Sequence, residues 1–240
     1  MDYSTVIEKI KPGIALVVTF GEDHKIIGTG SGFVFLKKGI LVTCNHVVKG
    51  ANAILLKFSG AEEYIDGKVV LRDEEHDLAL LKFEDGGQLP LERGELDKVR
   101  EGMPVLFSGY PLNSTNLTTH QGILSAITKD PTGVDSYLID GTVNSGNSGC
   151  PLMDSIGRVI GIVDAKRRVR NDLLEKVEKM GAGAVSLHGI DLVEIYHALI
   201  NNVQLGVGHA IPAHYIPEHK DTSIISEAPQ NSNGRKQHGR

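Results

Sequence analysis

IALVVTFGEDHKIIGTGSGFVFLKKGILVTC, residues 14–44, sets three short apolar and β-branched runs, IALVVTF, GFVFL and ILVTC, between turns built from glycine, acidic residues and lysine. Runs of that length and composition read as strands. The same texture continues outward through AILLKF, KVVL, LALLKF, PVLFSG, GILSAI, SYLID and RVIGIV, and it returns near the C-terminus in LGVGHAIPAHYI. So many short strands with no helical periodicity between them favour a sandwich or closed barrels over alternating βα units. Barrels also hide strand edges.

A chain of 240 residues is long enough for one large all-β domain or two smaller ones with a substantial core. The 40% hydrophobic and 23% charged content is that of a globular protein, and 28 glycines supply many turns. A formal net charge of −5 offers no global basic field for nucleic acid or anionic lipid, so neither is an expected partner. No stretch reaches the roughly 18 consecutive apolar residues of a membrane span. The start, MDYSTVIEKIKPGIALVV, lacks a basic head, a long apolar run and a cleavage site, so the expected location is cytoplasmic. Two cysteines, Cys44 and Cys150, are too few for a disulfide framework and fit a reducing compartment.

The pattern changes after RVIGIV. RRVRNDLLEKVEKMGAG puts Leu173, Val177 and Met180 on one helical face and stops at Gly181, and IDLVEIYHALINN does the same with Leu192, Ile195, Tyr196 and Leu199. Residues 167–202 are therefore expected to form a helical insertion, which could cap the barrel, cover a site or mediate association with a partner or a second copy. Residues 217–240 are polar and aperiodic and read as a mobile tail.

Acyl transfer by serine needs a base, a carboxylate that holds the base in one tautomer, and N–H donors for the developing oxyanion. His46 at the end of ILVTCNHVV, Asp77 at the start of HDLALLKF and Ser148 in GNSG supply the three side chains in the order His, Asp, Ser. His76, next to Asp77, is expected on the opposite, solvent-facing side of an extended strand. No HExxH, CxxC pair or other ligand spacing occurs, so no metal or other cofactor is expected. GTGSG lacks the GxGxxG spacing of a dinucleotide loop, and GNSGC departs from the GxSxG elbow of α/β-hydrolases.

Taken together, GTGSGFVF, ILVTCNHVV, HDLALLKF, DGTVNSGNSGCPLMDSIGRVIGI and LGVGHAIP resemble the trypsin-like peptidases of the HtrA type, over residues 7–216. The resemblance implies an all-β, chymotrypsin-like fold of two packed antiparallel six-stranded barrels, at about 14–100 and 101–216, with the site in the cleft between them and the helical insertion in the second. It implies a serine endopeptidase acting on peptides or proteins through His46, Asp77 and Ser148, with Gly146, Asn147 and Ser148 forming the oxyanion loop. The other class of function is a catalytically silent module that uses the same cleft to hold a peptide or a protein partner.

The resemblance also implies a pocket for the residue before the cleaved bond, walled by Thr142, Val143, Val163 and His209. Thr142 stands where trypsin has an aspartate, so a small or aliphatic side chain is expected there rather than lysine or arginine, although a histidine at the pocket base could bind a glutamate. Asn147 replaces the aspartate that digestive trypsin-like enzymes pair with a freed amine, and no IVGG-like start occurs, so site assembly without N-terminal cleavage is expected. Cys150 replaces the usual glycine; with Cys44 it reads as a buried small apolar residue, the alternative being a thiol close to the nucleophile. The PDZ domain that commonly follows such peptidases has no counterpart in the polar tail.

Overall fold

Strand β1 (Ile14–Phe20) is buried along nearly its whole length, as a continuous apolar run is when both faces of its sheet are covered. It closes a first barrel with β2 (Ile26–Val34), β3 (Ile40–Cys44), β4 (Ala53–Phe58), β5 (Ile65–Asp73) and β6 (Leu78–Phe83), in the order β1-β2-β3-β6-β5-β4. A second closed barrel, in the order β10-β11-β14-β9-β8-β7, uses β7 (Pro104–Gly109), β8 (Thr118–Lys129), β9 (Asp135–Asp140), β10 (Pro151–Met153), β11 (Val159–Asp164) and β14 (Val207–Pro212). All barrel pairings are antiparallel. The computed structural model describes residues 2–129, 132–165, 176–177, 180–181, 183–196 and 207–217. Among them no helix is long and apolar enough to cross a membrane.

Strand alternation divides the core. On β7, Val105 and Phe107 enter the interior of the second barrel with Leu124, Ile139, Leu152 and Val163, whereas Leu106 between them joins the cluster of the first. That larger cluster runs from Phe33, Leu41 and Leu81 through Met153, Ile162 and Ile211, so the barrels share a single apolar seam.

Three features depart from the sequence reading. β10 is only three residues long and opens on Pro151, a residue tolerated at the first position of a strand, so no alternation betrays it. A seven-residue helix, α1 (Ser4–Ile10), packs Val6 and Ile10 on the turn at Gly157, and is too short for its period to be read. The insertion is not wholly helical. Between β11 and β14 a hairpin of β12 (Ser186–Leu187) and β13 (Ile190–Asp191) turns through His188 and Gly189, both at positive φ, before residues 192–196 become helical with Asp191 Oδ1 accepting from the N–H of Val193. Residues 176–177 are helical, whereas Leu173, Leu199 and residues 218–240 of the expected tail lie outside the described residues.

Ser31 of β2, fully buried, ties the barrels together. Its N–H donates to Ser148 O at 2.8 Å and its carbonyl accepts from Thr43 Oγ1 at 2.7 Å. Its hydroxyl donates to Gly146 O at 2.7 Å and accepts from Tyr110 N–H at 2.9 Å. Every polar group of this serine is therefore satisfied, and three of its four hydrogen bonds go to residues that belong to the second barrel. Cys44 and Cys150 are free, fully buried members of the two apolar clusters. Burial raises both thiols, with the Asp164 and Asp77 carboxylates adding to it at Cys44.

Two outcomes follow from this packing. Ser31→Ala strands the Tyr110 N–H and the Gly146 carbonyl in the interior and is expected to lower stability by about 2–4 kcal/mol, read as a fall in the urea midpoint at unchanged slope. A shift under about 0.5 kcal/mol would show that the tie is dispensable. Ellman's reagent at neutral pH is expected to titrate neither thiol in the folded protein and both after denaturation; prompt release of one equivalent from native protein contradicts it.

Candidate active site

His46 lies in a single helical turn, α2 (Asn45–Val48), that interrupts the chain immediately after β3. Asp77 closes the turn between β5 and β6 with φ at +54°, a left-handed conformation that aspartate tolerates better than most residues. Ser148 sits between Gly146 (φ +94°) and Gly149 (φ +86°) in the loop from β9 to β10. Neither glycine has an alternative. A side chain on Gly146 would strike the carbonyl of Tyr110 at 2.3 Å, and one on Gly149 the carbonyl of Ser31 at 2.1 Å.

The fold brings the three side chains together. His46 Nδ1 is 2.5 Å from Asp77 Oδ2, and the His46 main-chain N–H donates to Asp77 Oδ1 at 2.9 Å, so both carboxylate oxygens hold the histidine. A ring nitrogen facing a carboxylate carries the proton, which leaves the Nε2 lone pair for the hydroxyl of Ser148 at 2.9 Å. The same hydroxyl oxygen accepts from the N–H of Ala165 at 3.1 Å, which directs its own proton toward His46. Ser148 is 5% exposed, while the His46 and Asp77 side chains are 17% and 24% exposed, so the group opens to the cleft and is otherwise enclosed.

The three residues expected in the oxyanion loop have unlike roles. Asn147 N–H is engaged by Asn144 O at 3.0 Å, whereas among the described residues no acceptor meets the N–H of Gly146 or of Ser148. The Asn147 side chain points inward instead, fully buried, with both amide atoms unpaired among the described residues. As a neutral amide it needs no counter-ion there.

The expected pocket residues also separate. A methyl of Val143 occupies the space beside Gly208 where a side chain would project, and Val143 packs on the cluster that contains Val163. Thr142 is exposed. His209 follows Gly208 on β14 and so faces the other side of the strand, opposite the buried Asp164 of β11 and Leu138 of β9. Val143 and Val163 are therefore brought together, and His209 is not with them.

Cys44 Sγ, a His46 ring nitrogen and an Asp77 oxygen lie within 4.8 Å of one another, the one grouping of metal-type donors among the described residues. Two of these atoms already share the histidine proton, and the third is a buried thiol that donates to Val163 O at 3.4 Å. The grouping is thus the His–Asp pair with an apolar neighbour.

Two structural residues escaped the sequence reading. Ser31 lay in the quoted GTGSG block without a role, since a buried serine and a turn serine look alike in sequence. His76 faces Tyr215 and Asp73 rather than solvent, because the left-handed turn at Asp77 breaks the strand alternation on which that expectation relied.

A family model of the trypsin-like peptidase domain matches residues 30–162, a span that includes His46, Asp77 and Ser148. The chain is 34% identical over 178 residues to the chloroplastic Protease Do-like 5 of Arabidopsis thaliana, covering 67% of this chain and 55% of that one. It is 37% identical over 137 residues to a probable periplasmic serine endoprotease, DegP-like, of Marinomonas sp., covering 55% of this chain and 29% of the relative. Among solved structures, the HtrA-type protease AlgW with a tripeptide superposes with a TM-score of 0.67 at 26% identity, over 89% of this chain and 60% of that one. This chain therefore spans roughly half or less of the length of these curated relatives. By its matched domain and its two-barrel fold, the chain belongs to the trypsin-like peptidase family, with HtrA-type proteases among its relatives.

Proposed function

We propose that this chain is a serine endopeptidase that cleaves peptide bonds through an acyl-enzyme formed on Ser148. The observation that carries the reading is His46 bonded at once to Asp77 through Nδ1 and to Ser148 through Nε2. His46 takes the Ser148 proton as Oγ attacks the scissile carbonyl, and Asp77 holds the imidazole in the required tautomer and stabilises the imidazolium. The proton then passes to the leaving amine, and water repeats the sequence to release the acyl group. The N–H groups of Gly146 and Ser148 receive the oxyanion, and their lack of acceptors among the described residues supports that role.

The residue before the cleaved bond is proposed to be small or aliphatic. Val143, half-buried, offers an apolar surface, whereas Val163 is fully buried in the second barrel and lies behind it, and the exposed Thr142 brings no negative charge for lysine or arginine. With His209 turned to the other face of β14, a glutamate preference has no support from that residue.

A fluorophosphonate probe is expected to label the wild type at Ser148, and Ser148→Ala is expected to lose labelling and roughly 10³–10⁶-fold in peptide hydrolysis. A folded wild type that neither labels nor cleaves would favour the silent binding module instead. Cleavage of a peptide library is expected to enrich alanine, valine or a similar side chain before the scissile bond; a dominant preference for lysine, arginine or glutamate would refute the pocket assignment.

A further inference from the structure

The turn that carries Asp77 has little apolar burial to hold it. Glu74 and Glu75 are exposed, and Asp73, His76 and Asp77 are only half-buried. What holds it is a polar and aromatic stack. Asp73 accepts the main-chain N–H of His76 at 3.0 Å through Oδ1 and meets His76 Nδ1 at 2.7 Å through Oδ2. Partial burial works against the Asp73 carboxylate, yet the donors of His76 hold it below the usual carboxylate range. The His76 ring lies against the ring of Tyr215, with centroids 4.0 Å apart and an interplanar angle of 24°.

Tyr215 comes from the other barrel. It ends the 3₁₀ turn Ala213–Tyr215 that follows β14. Its hydroxyl accepts from Asp135 N–H at 3.0 Å, and the His214 ring lies 4.1 Å away on a tilted contact. The next residue, Ile216, is buried in the shared apolar seam and its carbonyl accepts from Arg93. The tyrosine is thus fixed to the barrel that bears Ser148, while the ring it stacks on directly precedes Asp77. On the opposite side Asp77 is anchored within the first barrel, where its carbonyl accepts from Asn45 N–H at 2.8 Å and Arg72 ties β5 to α2 through Asn45 and Val48.

We infer that His76 and Tyr215 are a pair of positioning residues, a clasp across the barrels that sets the Asp77 carboxylate against His46 in register with Ser148. The left-handed turn makes this placement sensitive, because a small rotation of the peptide between His76 and Asp77 swings the carboxylate away from the imidazole. The clasp deepens the serine-peptidase reading and rests on it for its effect on rate. Neither residue touches the reacting atoms.

The test compares wild type with Tyr215→Phe, which keeps the stack, and with Tyr215→Leu, which keeps bulk and apolar character but removes the flat ring and is chosen to fold. Fluorophosphonate labelling rate, kcat and KM on a small peptide, and the far-downfield proton of His46 Nδ1 by NMR are measured on each. Tyr215→Leu is expected to lower the labelling rate and kcat about tenfold or more with KM within about twofold, and to weaken or shift the downfield proton, while Tyr215→Phe stays close to wild type. A leucine variant that labels and turns over like wild type with an unchanged proton overturns the clasp, as does a change confined to KM. If wild type itself fails to label, the peptidase reading falls; the downfield proton still decides the clasp, since it reports the His46–Asp77 bond without any turnover.

Discussion

The buried hydroxyl of Ser31 is the constraint on which the site depends. It sits where the two barrels meet, and its donor and acceptor capacities are spent on Gly146, in the loop that presents Ser148, and on Tyr110, which packs against that glycine. A loop rich in glycine has little conformational preference of its own. Its shape is imposed by the first barrel, through the hydrogen bonds from Ser31 to Gly146 O and Ser148 O and the contact that leaves no room for a side chain at Gly149, and by Tyr110 of its own barrel, which leaves none at Gly146. Ser148 is therefore held by the barrel interface more than by its own sequence neighbours.

Electrostatics around the site follow from keeping charge out of the seam. Asn147 occupies a fully enclosed place with a neutral amide, and Cys44 and Cys150 fill neighbouring space as protonated thiols. The carboxyl groups that do enter are those of the buried Asp164, beside Cys44, and of Asp77, and the latter is shared with His46 and left in partial contact with solvent. A carboxylate in that setting favours a protonated imidazole beside it, while the surrounding apolar walls preserve the strength of the interaction.

The family match ends at residue 162, before the insertion, β14 and Tyr215. The matched part carries His46, Asp77 and Ser148; the remainder of the described chain supplies β14, which closes the second barrel, and the 3₁₀ turn that meets His76. The hairpin of β12 and β13 lies beyond the family match. It exposes Leu187 and Ile190 beside a turn of two positive-φ residues, so its form owes more to turn chemistry than to burial.

The sequence alone determined most of the barrel strands and supplied the candidates for the site. Short β-branched runs bounded by turns can be satisfied only by closed or stacked sheets, and His46, Asp77 and Ser148 in separate blocks offered the side chains that acyl transfer needs, with a silent binding module as the other reading. It did not disclose β10, too short to alternate, or the helical turn of α2. Nor could it separate Val143 and Val163 from His209, because the side of a strand that faces a pocket depends on register and on the neighbouring loop. The roles of Ser31, His76 and Tyr215 belong to tertiary structure for a common reason. Each acts through a partner on the opposite barrel, and such a contact arises only when both barrels have closed and met.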